Sequence, residues 1–319
     1  MDTAEMYRRF AVREVRGHSP AYEDLAWEIA ADARLLALID GLPPIKRQPN
    51  LLLASVRFLG GPHADFGRFR AWVLRHWAEL RETVLARRTQ TNEAGRCASL
   101  LPVLAGLAGP LALVEVGASA GLCLYPDRYR YRYDDRPPFG PEDSPVVLPC
   151  RTNGRVPVPA RVPEVVWRAG LDLNPLDVRE EETARWLECL VWPGQHERLA
   201  RLRGAVRIVG EDPPHLVRGD LNESLRDLVA SAPREATVVV FHSAVLPYLE
   251  AEERDRFVAT VRGLPVRWIS NEGSPRLPSV LAGLGRDLPE DRLAFLPALD
   301  GRPVAMAGPH GEWLDWLGT

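Results

Sequence analysis

The sequence predicts an α/β fold in which helices cover a parallel sheet and an antiparallel hairpin completes that sheet. First, apolar runs alternate with amphipathic segments from residue 111 onward, as repeated strand–helix units do. Second, the first apolar run, 111–116, contains one acid near its end and leads into a turn with two glycines. Third, two final runs, 292–299 and 303–307, flank the turn 300–302, which is typical of a hairpin.

Residues 1–108 carry no strand signal, and we predict that they form a helical cap or lid domain. Apolar residues recur at helical spacing over 22–39 and over 66–86, and a third helix is predicted from about 92 to 107. The remaining residues, 109–319, are predicted to form a Rossmann-like domain. The length of 319 residues fits one elaborated α/β domain or two domains.

A proline-rich segment, roughly 128–163, interrupts the strand–helix alternation. Tyrosine and arginine alternate strictly over 129–133, and an apolar run follows at 144–150, so the segment is predicted to be an inserted hairpin. The other strands are predicted at 165–172, 215–218, 237–241 and 266–270, and the other helices at 179–191, 193–207, 221–228 and 250–262. The Asn174-Pro175 pair is expected to open a helix after the second strand.

The charge balance gives no reason to expect nucleic acid as a partner. The chain has 40 Lys and Arg against 43 Asp and Glu, a net charge of −3. It therefore lacks the basic surplus of nucleic-acid-binding proteins. A small-molecule substrate is the expected partner, and the oligomeric state is left open.

Composition also argues against membrane, secreted and metal-binding classes. The apolar fraction of 46% suits a globular protein, and no run of about 18 apolar residues predicts a membrane span. Residues 1–10 lack the apolar core of a signal peptide, so a cytoplasmic location is predicted. The four cysteines lack Cys-x-x-Cys spacing, and His196, His215 and His310 are isolated, so neither a disulfide framework nor a metal site is predicted.

The glycine turn after the first strand is the strongest candidate for a binding site. Its glycines allow the backbone to turn sharply and to approach a ligand, and a helix is expected to begin near Ala120 with free N–H groups toward that ligand. Turns of this kind also occur in α/β proteins that bind nothing. The pattern acid-x-Gly-x-x-x-Gly, from Glu115 to Gly121, resembles the first motif of class I S-adenosylmethionine-dependent methyltransferases more than the dehydrogenase Gly-x-Gly-x-x-Gly.

The resemblance to methyltransferases implies both a fold and a set of cofactor contacts. It implies a Rossmann-like sandwich whose closing hairpin corresponds to the sixth and seventh strands. Glu115 would contact the methionine amine of S-adenosylmethionine directly or through water, although a salt bridge to a nearby arginine is the alternative. The cofactor-binding residues predicted at this turn are Glu115, Gly117, Ala118, Ser119 and Gly121.

Two aspartates at later strand ends complete the predicted cofactor site. Asp172 resembles the second-strand acid whose two oxygens accept the ribose hydroxyls, and a helix N-cap is the alternative. Asp134 competes for the ribose role, but the flanks of Asp172 fit a core strand better. Asp220 resembles the third-strand acid that binds the adenine amino group, and it too has an N-cap alternative.

The fourth and fifth strand ends supply the predicted substrate side. His242 is the candidate catalytic residue, since an imidazole there would remove a proton from the nucleophile, and a buried structural histidine is the alternative. Ser243 lacks the Gly-x-Ser-x-Gly context of a hydrolase nucleophile. The predicted substrate-binding residues are Asn92, Ser243, Tyr248, Asn271 and Glu272.

Several segments together resemble the uncharacterised DUF2332 family of bacterial proteins. They are Gln90-Thr91-Asn92-Glu93, Glu115 to Leu122, Asp127-Arg128-Tyr129, Gly170 to Asp177, Trp192-Pro193-Gly194-Gln195 and Val240-Phe241-His242-Ser243. Departures are Cys123, where asparagine is expected, and Gly194, where glutamate is expected. The resemblance implies the fold and the position of the pocket but no reaction.

The sequence therefore predicts methyl transfer from S-adenosylmethionine to a small-molecule acceptor. Two alternatives stay open. One is a non-methylating enzyme that uses the same pocket, including one that binds NAD, because fold does not fix function. The other is a binding or regulatory protein that holds the ligand without turnover.

Overall fold

The computed structural model describes residues 2–273, 277–284 and 293–317. Its α-helices are α1 (Thr3–Phe10), α2 (Pro20–Ala31), α3 (Ala33–Asp40), α4 (Pro49–Phe58), α5 (Phe66–Arg75), α6 (Trp77–Ala86), α7 (Arg96–Leu104), α8 (Glu181–Leu190), α9 (His196–Glu211), α10 (Leu221–Ala230), α11 (Ala251–Arg262) and α12 (Pro278–Ala282). Its strands are β1 (Leu111–Val116), β2 (Arg130–Tyr133), β3 (Val147–Asn153), β4 (Val165–Asp172), β5 (His215–Arg218), β6 (Thr237–Ser243), β7 (Arg267–Gly273), β8 (Phe295–Leu299), β9 (Arg302–Pro303), β10 (Ala305–Ala307) and β11 (Trp313–Trp316).

The chain divides into two compact units. One comprises the residues up to Thr91 together with Arg179–Ala200, and the other comprises Asn92–Val178 and the residues from Arg201 on. Residues 92–108, predicted as part of the cap, thus belong to the second unit, and 179–200 belong to the first. The role of the first unit as a cap stays a prediction.

The first unit is built from helices whose apolar faces share one core. Tyr7, Phe10, Leu25 and Leu53 are almost completely buried in it, and Trp186 from α8 joins the same cluster. The first two predicted helices are each divided in two. Asp32 caps α3 by accepting the N–H groups of residues 34 and 35, so the helix restarts there.

The second unit contains the predicted sheet, which is mixed and mostly parallel. The strand order is β2-β3-β11-β10-β8-β7-β6-β1-β4-β5, with β9 paired to β8. The five strands from β7 to β5 run parallel, and the chain crosses from β4 and β5 on one side of β1 to β6 and β7 on the other. The strand order therefore reverses between β1 and β6. In open α/β sheets ligands bind at the carboxyl ends of the strands where the order reverses, so the ends of β1 and β6 are the candidate position.

The closing strands confirm the terminal hairpin over the described residues. β8 pairs antiparallel with β7, β9 and β10. Arg292, where the predicted run begins, lies outside the described residues. The sheet core packs against α10 and α11, with Val114 and Val116 of β1 meeting Leu225 and Phe257.

The predicted inserted hairpin over 128–163 is wrong. β2 and β3 fall in the predicted places, but they pair in parallel, from Arg130 opposite Val147 to Tyr133 opposite Cys150. Parallel neighbours need a crossover connection rather than a tight turn, and the proline-rich stretch 134–146 supplies it. Side-chain alternation marks the strands without fixing their relative direction.

The helix starts predicted near Ala120 and at Asn174-Pro175 are also wrong. Only a single 3-10 turn, Leu122–Leu124, follows the glycine turn, because Gly121 has a left-handed φ of +71° and Pro126 follows closely. Residues 173–180, after β4, contain no helix either.

Across the described ranges, no helix is both long and apolar enough to cross a membrane.

Candidate functional site

The candidate site lies in the second unit, at the carboxyl ends of β1, β4, β6 and β7. Register places Glu115 between Gly170 of β4 and Phe241 of β6. Because side chains alternate along a strand, Glu115 faces away from the α10 and α11 core that holds Val114 and Val116. Glu115 therefore faces the side of the sheet that α7 covers, where the charge of Arg96 acts on it.

The glycine turn is strongly curved and tightly packed. Gly117, Ser119 and Gly121 all have positive φ values, of 71°, 50° and 71°. A Cβ placed on Gly117 would lie 2.3 Å from Cγ2 of Val245, so only glycine fits at that position.

Two side chains accept hydrogen bonds from backbone N–H groups of this turn. Asp172 accepts the Ser119 N–H at 2.8 Å through Oδ2 and the Asn174 N–H at 2.7 Å through Oδ1. Asn92 accepts the Ala120 N–H at 3.0 Å and donates to the Ser119 hydroxyl at 2.9 Å. The expectation that free N–H groups of a helix start face a ligand here is therefore wrong, and Asn92 supports the turn.

We expect Asp172→Ala to loosen the glycine turn, since two backbone N–H groups lose their acceptor. The loss of two hydrogen bonds to a charged group should lower the free energy of unfolding by about 2–4 kcal/mol, measured by urea denaturation. Asp220→Ala is the matched control, because among the described residues the Asp220 side chain accepts one hydrogen bond, from the Asn222 N–H at 2.8 Å, as the N-cap of α10, and its loss should cost about 1 kcal/mol. Equal losses in the two variants would contradict this account.

Glu115 is the least satisfied polar group of the site. It is 6% exposed, and its Oε2 has no hydrogen-bond partner among the described residues. Burial raises the pKa of this carboxyl well above its usual value, Cys123 and Asp172 raise the pKa further, and the nearby Arg96 opposes them. A ligand that brings a hydrogen-bond donor or a positive charge to this buried carboxyl would stabilise it.

Arg96 is a site residue that the sequence analysis did not select. Its side chain is buried and donates to the backbone carbonyls of Ser243, at 3.1 Å, and Pro309, at 3.0 Å. Its guanidinium also lies 5.8 Å from the ring centre of Phe295. Arg96 thus fixes the end of β6 beside Glu115. The signal that the sequence offers for Arg96 is that residues 90–96 are largely polar although they join two apolar helices.

Ser243 and Asn271 lie together on neighbouring strands. Both are buried, and the Asn271 Nδ2 donates to the Ser243 Oγ at 2.9 Å. The Asn271 Oδ1 has no partner among the described residues. The structure therefore brings these two predicted substrate-binding residues together on the side of the sheet that Glu115 faces.

His242 and Glu272 point to the opposite side of the sheet. His242 is fully buried against Phe257 of α11, with the ring centres 5.2 Å apart. The Trp268 indole N–H, which can only donate, gives a hydrogen bond to Nε2 at 3.1 Å, so the proton of the ring is on Nδ1, which donates to Glu272 at 2.7 Å. Both ring nitrogens are occupied, and the arrangement matches the structural alternative for His242 rather than a general base.

The other predicted residues have separate surroundings. Asp220 is the N-cap of α10, and Asp134 accepts the N–H and the hydroxyl of Thr152 in the turn after β2. Tyr248 is 79% exposed at the end of a 3-10 turn. Ala118 is buried within the glycine turn. In the described ranges, no group of three or more His, Cys, Asp or Glu side chains is placed to hold a metal ion.

Comparison with known proteins identifies one family. The sequence model of the family described as "Uncharacterized protein conserved in bacteria (DUF2332)" matches residues 4–316. No curated protein matches the chain.

Proposed function

The chain belongs to the DUF2332 family, and we propose that it binds S-adenosylmethionine at the carboxyl end of β1 and transfers the methyl group to a small molecule. The observation that carries this proposal is the buried carboxyl of Glu115 beside the glycine turn, whose Oε2 has no hydrogen-bond partner in the part of the chain that the structure describes. The amine of the methionine moiety would supply the donor and the charge that Glu115 lacks. A charge-assisted hydrogen bond of this kind contributes about 1.5–3 kcal/mol.

Asp172 and Leu173 support an adenosine moiety beside that amine. Each oxygen of Asp172 accepts one backbone N–H, and each keeps a second lone pair for a ribose hydroxyl. Leu173, the next residue, is 61% exposed, and this large apolar side chain offers a surface on which an adenine ring would pack. Leu173 is not among the cofactor-binding residues that the sequence predicts.

The proposed transfer relies on positioning. Holding the sulfonium and the nucleophile in line removes much of the barrier without any protein base. His242 has no free nitrogen with which to accept a proton. The acceptor is therefore expected to be a group that is already a nucleophile near neutral pH, such as a thiolate, a carboxylate or an unprotonated amine.

The second candidate is a protein that binds the same ligand without turnover. The occupied nitrogens of His242 favour this alternative, since the histidine predicted as a base has a structural setting. Turnover separates the two candidates. S-adenosylmethionine with a deuterated methyl group, incubated with the protein and a metabolite extract, would give a labelled product by mass spectrometry only if the protein transfers methyl.

Calorimetry with three ligands tests the proposed cofactor. S-adenosylmethionine and its demethylated product, S-adenosylhomocysteine, are expected to bind, and NAD is expected not to bind. NAD has no aliphatic ammonium group like that of the methionine moiety, and it carries a pyrophosphate, for which the described turn provides no helix N-terminus. Binding of NAD alone would overturn the proposal.

A further inference from the structure

A buried carboxylate holds the loop that follows β6, residues 244–249. Oε1 of Glu272 on β7 accepts the Val245 N–H at 2.9 Å and the Nδ1–H of His242 at 2.7 Å. Glu272 is 3% exposed, and Trp268 in turn fixes the far side of the His242 ring. A series of hydrogen bonds thus runs from Trp268 through His242 to Glu272, and Glu272 alone accepts the backbone N–H of Val245.

The loop needs such support because one of its residues, Ala244, has an unfavourable backbone conformation. Ala244 has a φ of 60°, a left-handed conformation that a non-glycine residue adopts only where its surroundings impose it. The Ala244 N–H donates to the Asn271 carbonyl at 3.2 Å, so β7 fixes this residue as well.

The supported loop touches the glycine turn directly. The side chain of Val245 fills the space above Gly117, where a Cβ would come within 2.3 Å of it. Tyr248, with its ring exposed, lies at the end of the same loop. The position of Val245 therefore sets the shape of the glycine turn that carries Ser119 and follows Glu115.

We infer that Glu272 is a positioning residue, which fixes residues 244–249 against the Gly117 turn, and that His242 acts through it by orienting its carboxylate. Neither residue touches the ligand, because both lie on the face opposite to Glu115. Only the effect on ligand affinity rests on the proposed function. The effect on the loop follows from the unliganded protein.

Two variants of similar length separate the hydrogen bonds from the charge. In Glu272→Gln, the amide oxygen can still accept from both Val245 and His242, and the NH2 takes the place of Oε2, which has no partner among the described residues. In Glu272→Met, both donors lose their acceptor. Hydrogen exchange of the backbone amides within 244–249, all but Pro247, measures opening of the loop, and exchange of the amides in α11 measures global opening.

The expected result is exchange about 10- to 100-fold faster at 244–249 in Glu272→Met, beyond any change in α11, and protection close to wild type in Glu272→Gln. The affinity for S-adenosylhomocysteine should fall about tenfold in Glu272→Met and stay within about twofold in Glu272→Gln, because fewer molecules hold the competent loop. Equal acceleration at the loop and in α11, or the same exchange in both variants, would overturn the inference. If wild type binds no S-adenosylhomocysteine, the proposed function fails, and the exchange comparison still decides this inference.

Discussion

Gly117→Ala is expected to lower the free energy of unfolding by about 2–5 kcal/mol and to abolish the binding of S-adenosylmethionine. The new methyl group would lie 2.3 Å from Val245 Cγ2, and a φ of 71° is unfavourable for any residue with a Cβ. Left-handed backbone costs about 1–2 kcal/mol and overpacking about 1–3 kcal/mol. Chemical denaturation followed by circular dichroism measures the loss.

Two controls divide this loss into its parts. Gly60 has a φ of 77°, and apart from its chain neighbours no described residue comes within 4 Å of a Cβ placed there, so Gly60→Ala should show the backbone cost alone, about 1–2 kcal/mol. Adding Val245→Ala to Gly117→Ala removes the atoms in conflict and should recover stability relative to the sum of the two single variants. Strictly additive losses would show that Val245 does not confine Gly117.

The second large effect is expected for Glu115→Gln, which should make the unliganded protein more stable and the ligand bind more weakly. Burial raises the pKa of Glu115 in the folded protein. The contribution of this carboxyl to stability is therefore fully present below its pKa in the unfolded chain, about 4.3, and is lost as the pH rises through its pKa in the folded protein. Glutamine does not titrate, so the stability advantage of the variant should grow with pH in that window to about 1–3 kcal/mol.

As the pH rises, the affinity of the wild-type protein for its ligand should increase while the contribution of Glu115 to stability decreases. A ligand amine stabilises the ionised carboxylate, so wild-type affinity for S-adenosylhomocysteine should increase as the pH rises through the folded pKa of Glu115. Glu115→Gln should lose about 10- to 100-fold in affinity above that pH and show a flatter pH profile. A variant that is less stable than wild type at pH 8 would contradict the picture of a buried carboxyl whose Oε2 lacks a partner among the described residues.

Much of the sheet is predictable because its strands are marked by local patterns. The strands at 165–172 and 215–218 have the predicted bounds, and β6 and α11 differ from prediction by a few residues. A buried parallel strand is a continuous apolar run between turns, and this pattern needs no tertiary information. The relative direction of β2 and β3 depends on how the strands pair in the folded sheet, and the absence of a helix directly after Gly121 depends on the left-handed φ of that glycine. The local pattern of apolar residues contains neither.

The candidate site is only partly predictable, because a strand end gives the position of a side chain and not its hydrogen-bond partners. Glu115 and Asp172 lie at the predicted edge of the sheet. His242 lies one residue before Ser243, and this one-residue step along β6 puts it on the opposite face, against α11. Arg96 reaches Ser243 from a different element, and no local sequence signal reports such a contact.

The proposed binding mode pairs the carboxyl of Glu115 with the amine of the cofactor. Calorimetry of S-adenosylhomocysteine and of its analogue without the amino group, each with wild type and with Glu115→Gln, tests it as a double-mutant cycle. We predict that wild type prefers the amine-bearing ligand by about 10- to 100-fold and that Glu115→Gln loses most of this preference. An equal preference in both proteins, or none in wild type, would contradict this binding mode.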